Sequence, residues 1–290
     1  MQSLQFSPIV AGTMTWGIWG KNLTTQQMTQ LITDCVANQI TSFDHADIYG
    51  DYTTETAFGK AFKESNINRN DVQFISKCGI QLPNVNRHTT VKHYQYSKTY
   101  IIESVTNSLK NLHTDYLDVL LLHRPSPLMQ AEEIAAAIDI LISQGKIKAV
   151  GVSNFSNTQT ALLHSEIDIK VNQLEFSLTH NEAMLNGSLD YMQTNQILPM
   201  SWSPLGSVFK LDNEQTQRIK AVASSLAAAY NTTVDGILLA WILKHPAGII
   251  PVCGTTEIAR LKTAIAVTSI KMDLQDWFKL WEASAGHEVA

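Results

Sequence analysis

The chain has 290 residues, 44% of them hydrophobic, with no shift of composition along its length, so a single domain spanning 1–290 with one large core is expected. Its formal charge is −5 and its basic residues are dispersed, which excludes the footprint of a nucleic-acid or anionic-membrane binder. Its three cysteines, Cys35, Cys78 and Cys253, lack CxxC spacing, which points to reduced thiols in a cytoplasmic protein and away from a disulfide framework or a zinc site.

In chain order, the N-terminus carries no basic segment followed by an apolar core, and runs such as Val119 to Leu122 are too short to span a bilayer; a soluble, unexported protein is expected. Short β-prone runs follow at Pro8 to Ala11, Ser42 to Phe43, Val72 to Ser76, Leu117 to Leu122, Lys148 to Val152, Lys170 to Leu174, Ile197 to Ser201 and Ile249 to Val252. Between and after them lie helical patterns: Thr25 to Asn38, Glu55 to Ser65, Thr99 to Leu112, Ala131 to Gln144, Thr158 to Ser165, Asn181 to Thr194, Asn213 to Tyr230, Val234 to Lys244 and Glu257 to Val267. Start signals precede several of these: Thr24, Thr53 with Thr56 three residues on, Asn157, and Thr232 or Thr233; Gly145 is a stop signal. Eight strands alternating with helices over this length is the α/β pattern of a (β/α)8 TIM barrel, which typically takes ~250 residues. A doubly wound sheet is the competitor, but no G-x-G-x-x-G follows the first strand.

In a barrel, chemistry gathers at the C-terminal rim. Asp44 and Tyr49 follow the second strand, Lys77 the third, His123 the fourth, Ser153 and Asn154 the fifth, Gln173 the sixth, and Trp202 with Ser203 the seventh. Singly, Lys77 reads as a solvated strand end, His123 as a satisfied core histidine and Asp44 as a helix N-cap; together they read as one site. A phenol titrates near ~10 and is a poor proton donor at neutrality unless its anion is stabilised. Lys77 is expected to lower the Tyr49 pKa, Asp44 to keep Lys77 charged, and His123 to orient a carbonyl oxygen. The set has a general acid but no obvious nucleophile and no metal cluster. Reducing a carbonyl then needs a hydride source, for which a nicotinamide serves. A Schiff-base role for Lys77 would require it neutral, and Asp44 opposes that.

Across nearly the whole chain the sequence resembles the aldo-keto reductases, in particular a bacterial general oxidoreductase branch. The resemblance is carried by Phe-Asp-His-Ala-Asp-Ile-Tyr-Gly at 43 to 50, Ile-Ser-Lys-Cys-Gly at 75 to 79, Asp-Val-Leu-Leu-Leu-His-Arg-Pro at 118 to 125, Gly-Val-Ser-Asn-Phe at 151 to 155, Asn-Gln-Leu-Glu-Phe-Ser at 172 to 177 and Trp-Ser-Pro-Leu-Gly at 202 to 206. It implies a catalytic tetrad of Asp44, Tyr49, Lys77 and His123, with Tyr49 as acid, and the 4-pro-R hydride of NADPH passing to an aldehyde or ketone. It also implies that Ser153, Asn154 and Gln173 hold the nicotinamide carboxamide and that Trp202 stacks on its ring. By the same resemblance, Ser203, Leu205, Gly206 and Ser207 with free backbone N–H groups line the pyrophosphate, and Gly12 and Thr13 lie near the ribose. Gly254, Thr256 and Arg260 match a clamp on the 2′-phosphate of NADP. Gly254, Thr255 and Ala264 depart from the family's Lys, Ser and Asn, with Lys262 nearby, so NADPH is expected over NADH by a reduced margin. The resemblance admits one other role, a nucleotide-sensing regulatory subunit.

Trp16 and Trp19, and the segment Gln81 to Lys98 with His88, His93, Tyr94 and Tyr96, are expected to overhang the rim and shape a pocket for an apolar or ring-bearing carbonyl compound; the competing reading of that segment is a surface loop packed on a neighbouring helix. The tail after Trp281 is short, so an open pocket is expected.

Overall fold

A computed structural model describes residues 4–84 and 87–289, so Val85 and Asn86 of the expected pocket segment lie outside the described residues. Eight parallel strands close into a barrel: β1 (Val10–Gly12), β2 (Ser42–Asp44), β3 (Gln73–Cys78), β6 (Val119–Leu122), β7 (Val150–Ser153), β8 (Ile169–Glu175), β9 (Leu198–Trp202) and β10 (Ile250–Cys253). Each corresponds to one of the expected runs. A short antiparallel hairpin, β4 (Ile80–Gln81) with β5 (His93–Tyr94), interrupts the alternation after β3. Its strands are too short for periodicity to reveal.

The helices are α1 (Thr25–Ala37), α2 (Tyr49–Tyr52), α3 (Thr54–Ser65), α4 (Lys98–Leu112), α5 (Ala131–Ser143), α6 (Asn157–His164), α7 (Ser188–Thr194), α8 (Glu214–Ala229), α9 (Val234–Leu243), α10 (Ile258–Ala266) and α11 (Leu274–Ala285). Thr24 caps α1 in a capping box with Gln27, and Thr233 caps α9. Two expected signals are corrected. Thr53 precedes α3, but its hydroxyl donates to Gly50 O at 2.5 Å and caps nothing. The cap of α6 is Ser156, paired with Gln159, and Asn157 is the first helical residue. The pattern Asn181 to Thr194 breaks at left-handed Gly187 into a 3-10 turn, Glu182–Met184, and α7. Helix α11, which lies beyond the expected helical patterns, is fastened to α9 by stacked indoles: Trp241 and Trp277 lie 5.1 Å apart, and each Nε1–H donates to the other's carbonyl.

Two apolar layers position the site. The larger fills the space between strands and helices, where Trp16 packs edge to face on Phe43 and Phe58 on Phe74, with Phe43 and Phe58 tilted against each other. The smaller fills the barrel itself with Val10, Ile75, Val119, Leu121, Val171, Met200 and Val252, drawn from six of the eight strands. Gly151 completes that inner layer, since a Cβ there would fall 2.6 Å from Val171 O and 2.7 Å from Leu121 Cδ2. Side chains alternate along a strand, so the residue two places on from an inward one also faces the lumen. Two residues beyond Val10, Ile75, Leu121, Gly151, Val171, Met200 and Val252 stand Gly12, Lys77, His123, Ser153, Gln173, Trp202 and Gly254. The upper layer of the barrel is therefore polar where the lower is aliphatic.

Candidate active site

Asp44 ends β2, and its carboxylate lies below the rim. Lys77 Nζ donates to both of its oxygens, at 2.7 and 2.6 Å, to His45 O at 2.8 Å and to Tyr49 OH at 3.2 Å. With Lys77 only 1% exposed, every proton of the ammonium has a protein acceptor. Gln173 Nε2 adds a further bond to Asp44 Oδ1 at 3.0 Å. Burial alone would lower the Lys77 pKa, but Asp44 and Tyr49, by charge and hydrogen bonding, carry it above its ordinary value. A charged, fully bonded ammonium is no nucleophile, which disposes of the Schiff-base alternative.

Tyr49 is reached through a sharp turn. Gly50 (φ 57°), Asp51 (φ 50°) and Tyr52 (φ 68°) are all left-handed, which turns the chain back and leaves the phenol against Lys77. Tyr52 OH then accepts from Leu82 N at 3.0 Å, tying the turn to the β4–β5 segment. The expected lowering of the Tyr49 pKa is corrected here: desolvation pushes it above the ordinary value, and Lys77 opposes that without overcoming it. The His123 ring lies 6.1 Å from that of Tyr49. Burial, then the charges of Lys77, Arg124 and Lys92, hold His123 well below its ordinary pKa, so the imidazole is neutral. Its Nδ1 is buried and has no hydrogen-bond partner among the described residues.

Beside this group lies an amide-shaped set of donors and acceptors. Trp202 Nε1 donates to Asn154 Oδ1 at 2.9 Å, and Asn154 Nδ2 donates to Ser153 Oγ at 2.8 Å. One N–H of Asn154, the Ser153 hydroxyl and Gln173 Oε1 remain for a ligand, which suits a carboxamide. After β9, Gly206 (φ 54°) admits no side chain, because a Cβ would fall 2.0 Å from Thr179 Oγ1. Two of the free N–H groups expected there are engaged: Gly206 N donates to Ser203 O and Ser207 N to Thr179 Oγ1. Leu205 N–H and the Ser203 and Ser207 hydroxyls are left to meet an anion. Gly254 has nothing within 4 Å of its Cβ position, and Thr256 and exposed Arg260 follow it. These residues fit a dinucleotide laid across the rim.

Other expected site residues stand elsewhere. Thr13 is fully buried, its hydroxyl donating to Asp44 O and accepting from His45 Nδ1, so it braces the Asp44 loop from inside the protein. Trp16 is a core residue, buried against Phe43 and Phe58, and does not overhang the rim. Trp19 does: it is 38% exposed, its ring lies 6.2 Å from that of Tyr49, and its Nε1 donates to Asp51 at 3.3 Å. Tyr96 is buried beneath the rim, while His88 and His93 are exposed. The sequence reading missed Asp47 and Glu55. Glu55 is buried and Asp47 half-buried, each has one buried carboxylate oxygen without a partner among the described residues, and desolvation pushes Asp47 up to about 7 and raises Glu55. Asp47 lies within the same eight-residue motif as Asp44, which was the available signal.

The sequence and the fold have counterparts. The sequence model of the aldo/keto reductase family matches residues 8–285. The chain belongs to that family. The oxidoreductase YcsN of Bacillus subtilis (strain 168) is 39% identical over 99% of this chain and 97% of its own length. A 6-dehydroglucose reductase of Agrobacterium fabrum is 40% identical over 88% of this chain and 87% of its own. Among solved structures, an aldo-keto reductase from Klebsiella pneumoniae in complex with NADPH superposes with a TM-score of 0.80 at 25% identity, covering 95% of this chain and 90% of that one. This aldo/keto reductase is an oxidoreductase on a (β/α)8 barrel. Among its described residues, no single helix is long and apolar enough to cross a membrane.

Proposed function

We propose that this protein reduces aldehydes or ketones to alcohols with NADPH, Tyr49 serving as general acid. The observation that carries the reading is the buried chain Asp44–Lys77–Tyr49, with the neutral ring of His123 beside the phenol. The nicotinamide would supply a hydride to the carbonyl carbon. Tyr49 holds the matching proton: burial keeps the phenol protonated at rest, and as the O–H bond breaks toward the carbonyl oxygen the growing phenolate charge meets Lys77 Nζ at 3.2 Å. In a site this dry that charge is worth far more than in water. Asp44 keeps Lys77 protonated and aimed, and Gln173 holds Asp44 in turn. His123, uncharged, donates its N–H to the carbonyl oxygen and fixes its direction without competing for the proton.

Ser153, Asn154 and Gln173 would hold the carboxamide, Trp202 would stack on the ring, and Ser203, Leu205 and Ser207 around Gly206 would meet the pyrophosphate. Gly12 has a short side to offer the ribose, while Gly254, Thr256 and Arg260 would receive a 2′-phosphate. The Klebsiella pneumoniae neighbour's complex with NADPH supports this cofactor. The name of the Agrobacterium fabrum relative supports a polar, oxygen-rich carbonyl compound over an apolar one. The cysteines are free and buried, which supports a cytoplasmic location for a chain acting as one domain.

The test is a titration with NADPH and NADH followed by tryptophan fluorescence, repeated with Arg260→Ala. NADPH should bind more tightly than NADH, and the variant should bring the two together. Absence of binding by either nucleotide removes the hydride source and the proposal with it.

A further inference from the structure

Arg124 follows His123 directly, and its setting is built. The buried phenol of Tyr96 donates to Arg124 O at 2.5 Å and accepts from Arg124 N at 3.1 Å, so the backbone of this residue is held at both polar groups. Tyr96 reaches that position because residue 79 is glycine at φ 121°, where a Cβ would fall 2.2 Å from the phenol oxygen. The side chain is fixed differently. Its guanidinium carbon lies 5.6 Å from the Trp202 ring centroid, and among the described residues it has no ion pair or hydrogen bond.

The cations beside it are not all paired. Lys77, Arg124 and Lys92 are the charges that act on His123, and of these only Lys77 is matched by a carboxylate. Lys92 stands just before β5 without an ion-pair partner among the described residues. Asp51, the acid at the neighbouring part of the rim, is engaged by Trp19 Nε1. A half-buried guanidinium with no counter-charge is costly, and an anion beside it offsets that cost; its planar fork matches a carboxylate, sulfonate or phosphate bidentately.

We infer that Arg124, assisted by Lys92, is a specificity-determining residue that binds the anionic end of a carbonyl substrate whose C=O lies at Tyr49 and His123. The inference rests on the reductase reading and names its substrate class. The guanidinium carbon stands 5.6 Å from the ring of Trp202, on the rim that also carries His123, so the anionic end belongs on the Trp202 side of the carbonyl. A short oxo-acid has this shape.

The probes are 4-oxobutanoate, butanal as its uncharged counterpart and D-glyceraldehyde as a neutral polyol, each compared in the full-length protein and in Arg124→Gln. NADPH affinity is measured alongside by fluorescence, and 4-hydroxybutanoate binding to the NADP-loaded protein by calorimetry. The wild type should favour 4-oxobutanoate over butanal in kcat/KM. Arg124→Gln should lower that value by roughly 10- to 100-fold, mainly through KM, while butanal turnover and NADPH affinity stay within a few-fold. No anionic preference in the wild type, a glyceraldehyde preference that Arg124→Gln abolishes, or weakened NADPH binding in the variant would each overturn the inference. If no aldehyde is reduced but 4-hydroxybutanoate still binds in an Arg124-dependent way, the reductase reading falls and the anion subsite stands.

Discussion

Replacing Asp44 by asparagine removes the negative charge that faces Lys77 and keeps the size of the side chain. Lys77 Nζ then retains His45 O at 2.8 Å and Tyr49 OH at 3.2 Å but sits uncompensated in a site where it is 1% exposed. Breaking a buried pair in this way costs about 3–5 kcal/mol, because the remaining charge has neither water nor a partner. The assay is urea unfolding of Asp44→Asn against wild type across pH. In the wild type the raised Lys77 pKa contributes stability that is fully present below the unfolded-state value of about 10.4 and is lost as pH rises through the folded-state value. In the variant the sign reverses: without Asp44 the folded state binds its proton less tightly than the unfolded chain does, so the deficit should shrink from pH 7 toward pH 10. A loss under about 1 kcal/mol, or a deficit that does not change with pH, would refute the claim that Asp44 neutralises a buried ammonium.

The two tryptophans after β1 should behave oppositely. Trp16→Ala should cost about 3–5 kcal/mol in urea unfolding as a core truncation, whereas Trp19→Ala should cost under about 1 kcal/mol and instead change KM for carbonyl substrates; similar stability losses in both would contradict their assignment. Asp47, pushed up to about 7, binds a proton in the folded protein that the unfolded chain releases near ~4, so wild-type stability should fall as pH rises between these values, by at most on the order of 4 kcal/mol. Asp47→Asn should flatten that slope, and an unchanged slope would show that the titration lies elsewhere.

The barrel was legible because its strands are short, largely apolar runs, most of them closed or followed at the rim by a polar residue, and because the rim motifs are contiguous in sequence. Asp44, Tyr49, Lys77 and His123 could be grouped by position alone. What escaped needed a second chain segment to be in place. Gln173 spends an amide proton on Asp44 across 129 residues, and nothing local signals it. Thr13 and Trp16 follow the first strand, as rim residues do, yet their side chains point inward, and a loop lacks the alternation that would distinguish the two directions. The Tyr49 phenol was read from its charged neighbour alone; burial, the larger influence, is a property of the packed fold. Helix α11 carries its own signals in an Asp273 cap followed by Leu274, Trp277 and Trp281 at helical spacing, so its absence from the expected elements has no physical cause.

The most direct measurement is single-turnover oxidation of NADPH by an aldehyde in Tyr49→Phe, with NADPH affinity determined on the same preparation. Phenylalanine keeps the ring against Lys77 and removes the hydroxyl, with its proton and the acceptor it offers Lys77. The account predicts near-complete loss of turnover, with NADPH binding within a few-fold of wild type. Turnover at the wild-type rate with NADPH bound would contradict it and take the acid's role away from Tyr49.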